Sequence, residues 1–179
     1  MKFKIRKNIL KVSIALILMT SVFRAGFKFY EVSGNSMEPT VNNGDLVLAN
    51  TALYRKADPS LFDMVIIKDL EDGGVLMKRI IGTPGDKIEI REGYIYRNDK
   101  KVNGRFGSGR IFYYLADENR KILKYWNGPQ KGKDVIKFTD QAPFILSENN
   151  FFYIGDHREV SVYGIVHRKD MLGKVVWRL

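Results

Sequence analysis

Ser36 is the first residue whose surroundings invite chemistry. It sits in Ser33-Gly34-Asn35-Ser36-Met37-Glu38-Pro39-Thr40, a run of turn formers ahead of Gly44 and Asp45. Taken alone, this is a turn in which a serine hydroxyl caps backbone groups. To act as a nucleophile, that hydroxyl needs a base within hydrogen-bond reach. The usual bases are scarce, with two histidines (His157 and His167) and no cysteine. A lysine held neutral is the other option. Lys78 lies in the run 75–81, where strand alternation puts Leu76, Lys78 and Ile80 on one face. Apolar neighbours disfavour the ammonium and lower its pKa, each unit corresponding to about 1.4 kcal/mol. The ordinary fate of a strand lysine is instead to reach solvent along a sheet edge. Zero cysteines also exclude disulfides and thiolate zinc, and two histidines are too few for a histidine-built centre. No metal and no cofactor are expected.

The elements that must position these residues read as strands and turns. Short apolar or alternating runs recur at 27–32, 46–49, 64–68, 75–81, 87–91, 94–97, 135–138, 151–154 and 174–178, bounded by Gly, Asn, Asp and Pro. Glu92-Gly93 and Asn98-Asp99 are placed as hairpin turns. A single helix is expected in the body, near 116–125. The stretch 104–133, rich in Gly, basic and aromatic residues, reads as an insertion capping a β scaffold. The fold class expected is mostly β, with an N-terminal transmembrane helix and a small insertion.

The 179 residues carry a net charge of +10, which invites a nucleic-acid reading. The distribution argues otherwise. Residues 1–30 hold seven basic side chains and no acid, leaving 23 basic against 20 acidic beyond them. No nucleic-acid partner is expected. Residues 8–27 form a 20-residue, mostly apolar stretch behind a basic cluster, about 30 Å as a helix. This predicts a cytoplasmic tail at 1–7, a membrane anchor at 8–27 and an extracytoplasmic β domain at 28–179. A cleaved leader would carry small residues after the apolar run; here the chain reads Val22-Phe23-Arg24-Ala25, so an uncleaved anchor is preferred.

Together the serine and lysine segments resemble the type I signal peptidases, membrane-anchored serine proteases with a Ser–Lys dyad. Gly34, Ser36, Met37, Pro39 and Thr40 match the first box; Lys78, Arg79, Gly82, Pro84, Gly85 and Asp86 match the second. The resemblance implies an antiparallel signal-peptidase-like β fold, Ser36 as nucleophile and Lys78 as general base. It implies that Gly34, Asn35 and Met37 line the oxyanion and substrate pocket, with Pro39, Arg79, Gly155 and Asp156 in support. Ser161 falls at the position of a serine that orients the lysine. The Asp-Ser-Arg that follows in the family is missing, and His157 replaces an asparagine. Similar departures occur in signal-peptidase-like proteins of Gram-positive pilus assembly. The implied partners are signal peptides of secreted preproteins, pilin subunits and membrane lipid. A self-cleaving repressor also uses Ser–Lys chemistry, but the 30 residues ahead of the β runs leave no room for a DNA-binding domain.

Overall fold

A computed structural model describes residues 9–14, 16–17, 20–21, 26–70, 73–102, 104–107, 109–115 and 135–179. Among the described residues thirteen strands run in order: β1 (Phe27–Glu31), β2 (Leu46–Asn50), β3 (Met64–Lys68), β4 (Val75–Gly82), β5 (Lys87–Arg91), β6 (Tyr94–Arg97), β7 (Lys100–Lys101), β8 (Phe112–Leu115), β9 (Val135–Phe138), β10 (Gln141–Ile145), β11 (Asn150–Ile154), β12 (Tyr163–His167) and β13 (Met171–Arg178). Every described pairing is antiparallel. The expectation of a mostly β protein of antiparallel sheets holds.

Seven strands form one sheet in the order β1-β2-β13-β3-β4-β11-β12, four form a second as β10-β5-β6-β7, and β8 pairs with β9. The chain passes from the first sheet to the second at Gly82–Asp86. There the Asp86 carboxylate accepts from the Thr83 N–H and hydroxyl, Arg97 Nε and Asn98 Nδ2 at 2.7–2.9 Å. Burial pushes this carboxyl up, but the bonds from Arg97, Thr83 and Asn98 outweigh it and hold it below its ordinary value. Glu92-Gly93 and Asn98-Asp99 are two-residue connections with positive φ at both positions, the backbone that matches strand twist.

Between the sheets lie Ile81, Ile88, Ile90, Ile95, Phe152 and Ile154. A second cluster, of Met37, Val41, Val47, Ala49, Ile66 and Val175, joins the serine segment to β2, β3 and β13.

Three expectations need correction or restriction. Strand β1 begins at Phe27, so the stretch assigned to an anchor at 8–27 gives way to sheet one residue early. Residues 9–14, 16–17, 20–21 and 26 are helical, yet among the described residues no helix is long and apolar enough to cross a membrane. The helix expected at 116–125 lies outside the described residues. The expected insertion contributes β8, which pairs with β9 beyond it.

Candidate active site

The β1–β2 connection carries Ser36. It is closed at its base by Val32 N–H to Asp45 O at 2.9 Å and Gly44 N–H to Val32 O at 2.8 Å. Gly34 takes φ +97°, a conformation that suits glycine, and its N–H donates to Asn43 Oδ1 at 2.8 Å. Beyond the serine, the Met37 carbonyl accepts from the N–H groups of Thr40 and Val41 at 2.9 and 3.0 Å. Met37 and Val41 are buried on side chains of β2, β3 and β13. The segment is therefore seated across the sheet face toward β4.

There the Lys78 ammonium lies 2.8 Å from the Ser36 hydroxyl. Lys78 is only 3% exposed. Burial pushes its pKa down from 10.5 to about 8, against a smaller opposing pull from the Asp69 carboxylate. A lysine poised there is half neutral near pH 8, and neutral amine is a base. A cleft of about 290 Å³ opens on this pair between residues 30–34 and 75–78, floored by Met37, Val47 and Ile66. Asn35 is exposed beside it, and its carbonyl accepts from the Glu38 N–H at 3.1 Å.

The loop after β11 closes the site from the other side. The His157 N–H donates to the Ser36 carbonyl at 3.1 Å. Gly155 is packed so tightly that a Cβ there would overlap both the Ser36 carbonyl oxygen and the Ser161 hydroxyl. Ser161 Oγ accepts from the Gly155 N–H at 2.7 Å and donates to the Val162 carbonyl at 2.9 Å. Among the described residues it makes no hydrogen bond to Lys78. It meets the loop that supports the serine instead.

Arg79, next to Lys78, grips the fully buried Asp156 through Nε and Nη2 at 2.7 and 2.5 Å, and donates to the Phe62 carbonyl at 2.8 Å. Thr40 Oγ1 donates to the same carboxylate at 2.5 Å. One carboxylate thus ties together the serine segment, the lysine strand and the loop after β11. Pro39 stands beside this link, following a cis peptide bond.

Two participants were not singled out from the sequence. Arg158 is buried and donates to the carbonyls of Gly155 at 2.6 Å and Phe106 at 2.5 Å. Burial pushes its pKa down to about 10, Asp156 pulls it back up, and the Arg79 charge adds to the lowering. It remains cationic at neutral pH. The Phe106 ring stacks on Phe62 at 4.6 Å and lies under the Arg79 guanidinium at 4.8 Å. Neither carries a local signal; their roles arise only when the start of the expected insertion packs behind the site. His167 lies apart, and its Nδ1 accepts from the Lys169 N–H at 3.1 Å. Among the described residues no group of three or more His, Asp or Glu side chains could hold a metal ion.

Comparison with known proteins gives one consistent answer. The family described as signal peptidase, peptidase S26, matches residues 5–179. Signal peptidase IB of Staphylococcus aureus (strain COL) is 25% identical over 182 residues, covering 99% of this chain and 91% of that protein. Signal peptidase I P of Bacillus subtilis subsp. natto is 28% identical over 165 residues, covering 89% and 80%. A crystal structure of a signal peptidase I from Enterococcus faecalis V583 is 24% identical, covers 67% of this chain and 98% of its own, and superposes with a TM-score of 0.43.

Proposed function

We propose, on the premise that this chain belongs to the signal peptidase family, peptidase S26, that it is a membrane-anchored serine endopeptidase removing signal peptides from secreted preproteins after small residues. Ser36 is the nucleophile and Lys78 the general base. The observation that carries this is the 2.8 Å contact between a serine hydroxyl and a buried lysine at the mouth of a cleft.

The chemistry follows from the contact. Neutral Lys78 Nζ takes the Ser36 hydroxyl proton as Oγ attacks the scissile carbonyl. The tetrahedral oxyanion is met by the Ser36 N–H, which among the described residues donates to no other acceptor. The lysine then gives its proton to the departing amine. Once neutral again, it takes a proton from a water that attacks the acyl carbonyl; the acyl C–Oγ bond then breaks as Lys78 returns that proton to Ser36 Oγ. The substrate lies extended in the cleft beside Tyr30–Ser33, with small side chains in shallow pockets formed with Gly34 and Met37, while Asn35 stands outside the cleft lining.

Residues 8–27 serve as the anchor. The described helical residues there expose Ile9, Leu10, Val12, Ile14, Leu16 and Ile17, each at least 48% exposed, as a lipid-facing helix would. The β domain then stands outside the membrane, where cleavage sites emerge. Cleavage of a preprotein by the full chain tests the assignment: loss of processing in both Ser36→Ala and Lys78→Ala is expected, and full activity in either defeats the dyad.

A second reading is favoured by one observation, the missing Asp-Ser-Arg after Ser161. In it the same cleft binds pilin subunits for assembly without cutting them. Normal pilus assembly by a Ser36→Ala chain would select that reading.

A further inference from the structure

On the edge of the seven-stranded sheet, where β1 begins, lies a second and larger cavity that the proposed chemistry does not use. It measures about 530 Å³ and is lined by four cations, Lys28, Arg55, Arg168 and Lys169. Its apolar side is supplied by Tyr54, Met171 and Leu172. Arg168 is spoken for, by Asp58 at 3.1 Å. Nearby, Asp170 faces Lys68 at 3.8 Å. Lys28 lies over the Tyr30 ring at 4.9 Å, and among the described residues Lys28, Arg55 and Lys169 have no carboxylate partner. The cavity therefore concentrates positive charge that the fold does not neutralise.

Its location identifies what neutralises it. Gly26, at the end of the expected anchor, accepts from the Thr51 N–H at 2.8 Å, and Thr51 also lines this cavity. Lys28 is two residues further on. The cavity thus opens where the chain leaves the bilayer, at the depth of lipid headgroups. Its volume leaves room for more than a phosphate group. Unpaired cations above an apolar floor suit a phosphodiester with a glycerol backbone beneath it.

We infer that this cavity binds the headgroup phosphate of an anionic glycerophospholipid, fixing the β domain against the membrane surface. The inference rests on reading residues 8–27 as an anchor, and its test is separable from that reading and from the dyad. The full chain in neutral-detergent micelles is titrated with dioctanoyl phosphatidylglycerol, dioctanoyl phosphatidylcholine or inorganic phosphate, and the thermal midpoint is followed. Phosphatidylglycerol should raise the midpoint in a saturable way. The Arg55→Gln/Lys169→Gln double variant, altered at two exposed side chains, should lose most of that shift. Lys100→Gln, on β7 in the other sheet, should keep it, as should Ser36→Ala. Equal shifts in the double variant and the parent overturn the site. Equal shifts with phosphatidylcholine overturn the need for an anionic lipid, and equal shifts with inorganic phosphate overturn the lipid assignment. A single Lys28→Gln variant provides the same reading should the double variant unfold. Fractionation of cells tests the anchor by itself: a chain that sediments with membranes yet ignores phosphatidylglycerol refutes this inference alone.

Discussion

Arg79 and Asp156 meet through two parallel bonds, with both side chains almost wholly out of solvent. Each stands one position from the site's essentials, Arg79 after Lys78 and Asp156 after Gly155. A buried pair broken on one side leaves an uncompensated charge, at a cost of about 3–5 kcal/mol. Asp156→Ala is the harsher break, because it strands Arg79 and Arg158 together. Denaturant unfolding of the full chain should show that loss, with Arg79→Met milder because Arg158 still faces the carboxylate.

The lowered pKa of Lys78 sets the pH profile. Cleavage by a neutral amine should climb about tenfold per pH unit below about 8 and level off above it, measured as kcat/KM across roughly pH 6–10. A flat profile would remove lysine from the base role.

The same burial has a stability cost of opposite interest. In the folded chain Lys78 titrates near 8, while unfolded it titrates near 10.5. Between those values the unfolded state holds more protons, so stability rises with pH through that window; below it the cost is complete, about 3 kcal/mol. Lys78→Met should therefore be inactive yet melt higher than the parent at neutral pH.

Gly155→Ala should abolish cleavage while leaving most of the sheet intact. The added methyl must displace the Ser36 carbonyl, and small displacements of a nucleophile cost on the order of 10²-fold in rate. Adding Ser161→Ala clears the hydroxyl but not the backbone oxygen, so the double variant should stay inactive.

Thr40→Val isolates one strand of the support. It removes the hydroxyl that links the serine segment to Asp156 and keeps the shape. A hydrogen bond to a charged group contributes about 1.5–3 kcal/mol, so kcat should fall while the salt pair of Arg79 and Asp156 holds the fold.

The contact between Ser36 and Lys78 was legible because two short motifs point to it: a serine among turn residues and a lysine flanked by apolar ones. What escaped the sequence was mostly at edges. β7, β10 and β12 end their sheets, and β10 contains Pro143, which an edge strand tolerates but which hides the strand pattern. Gly164 interrupts β12 in the same way. β13 begins three residues earlier than its alternation suggests, because an irregularity at Met171/Gly173 breaks the period. Ser161 was expected to orient Lys78, but its hydroxyl is engaged with Gly155 and Val162. Arg158 and Phe106 become partners of the site only through packing between distant segments, which no local pattern encodes.

The sheet order carries a consequence for biosynthesis. β13, the last of the described strands, is inserted between β2 and β3, and Lys174 reaches Asp63 at 2.6 Å from there. Until residues 171–178 arrive, β2 and β3 have no partner on their facing edges, and Val175 is absent from beneath Met37. The platform under the Ser36 segment is therefore incomplete on a nascent chain. On the ribosome the site would stay unassembled until residues 171–178 enter the sheet between their two neighbours.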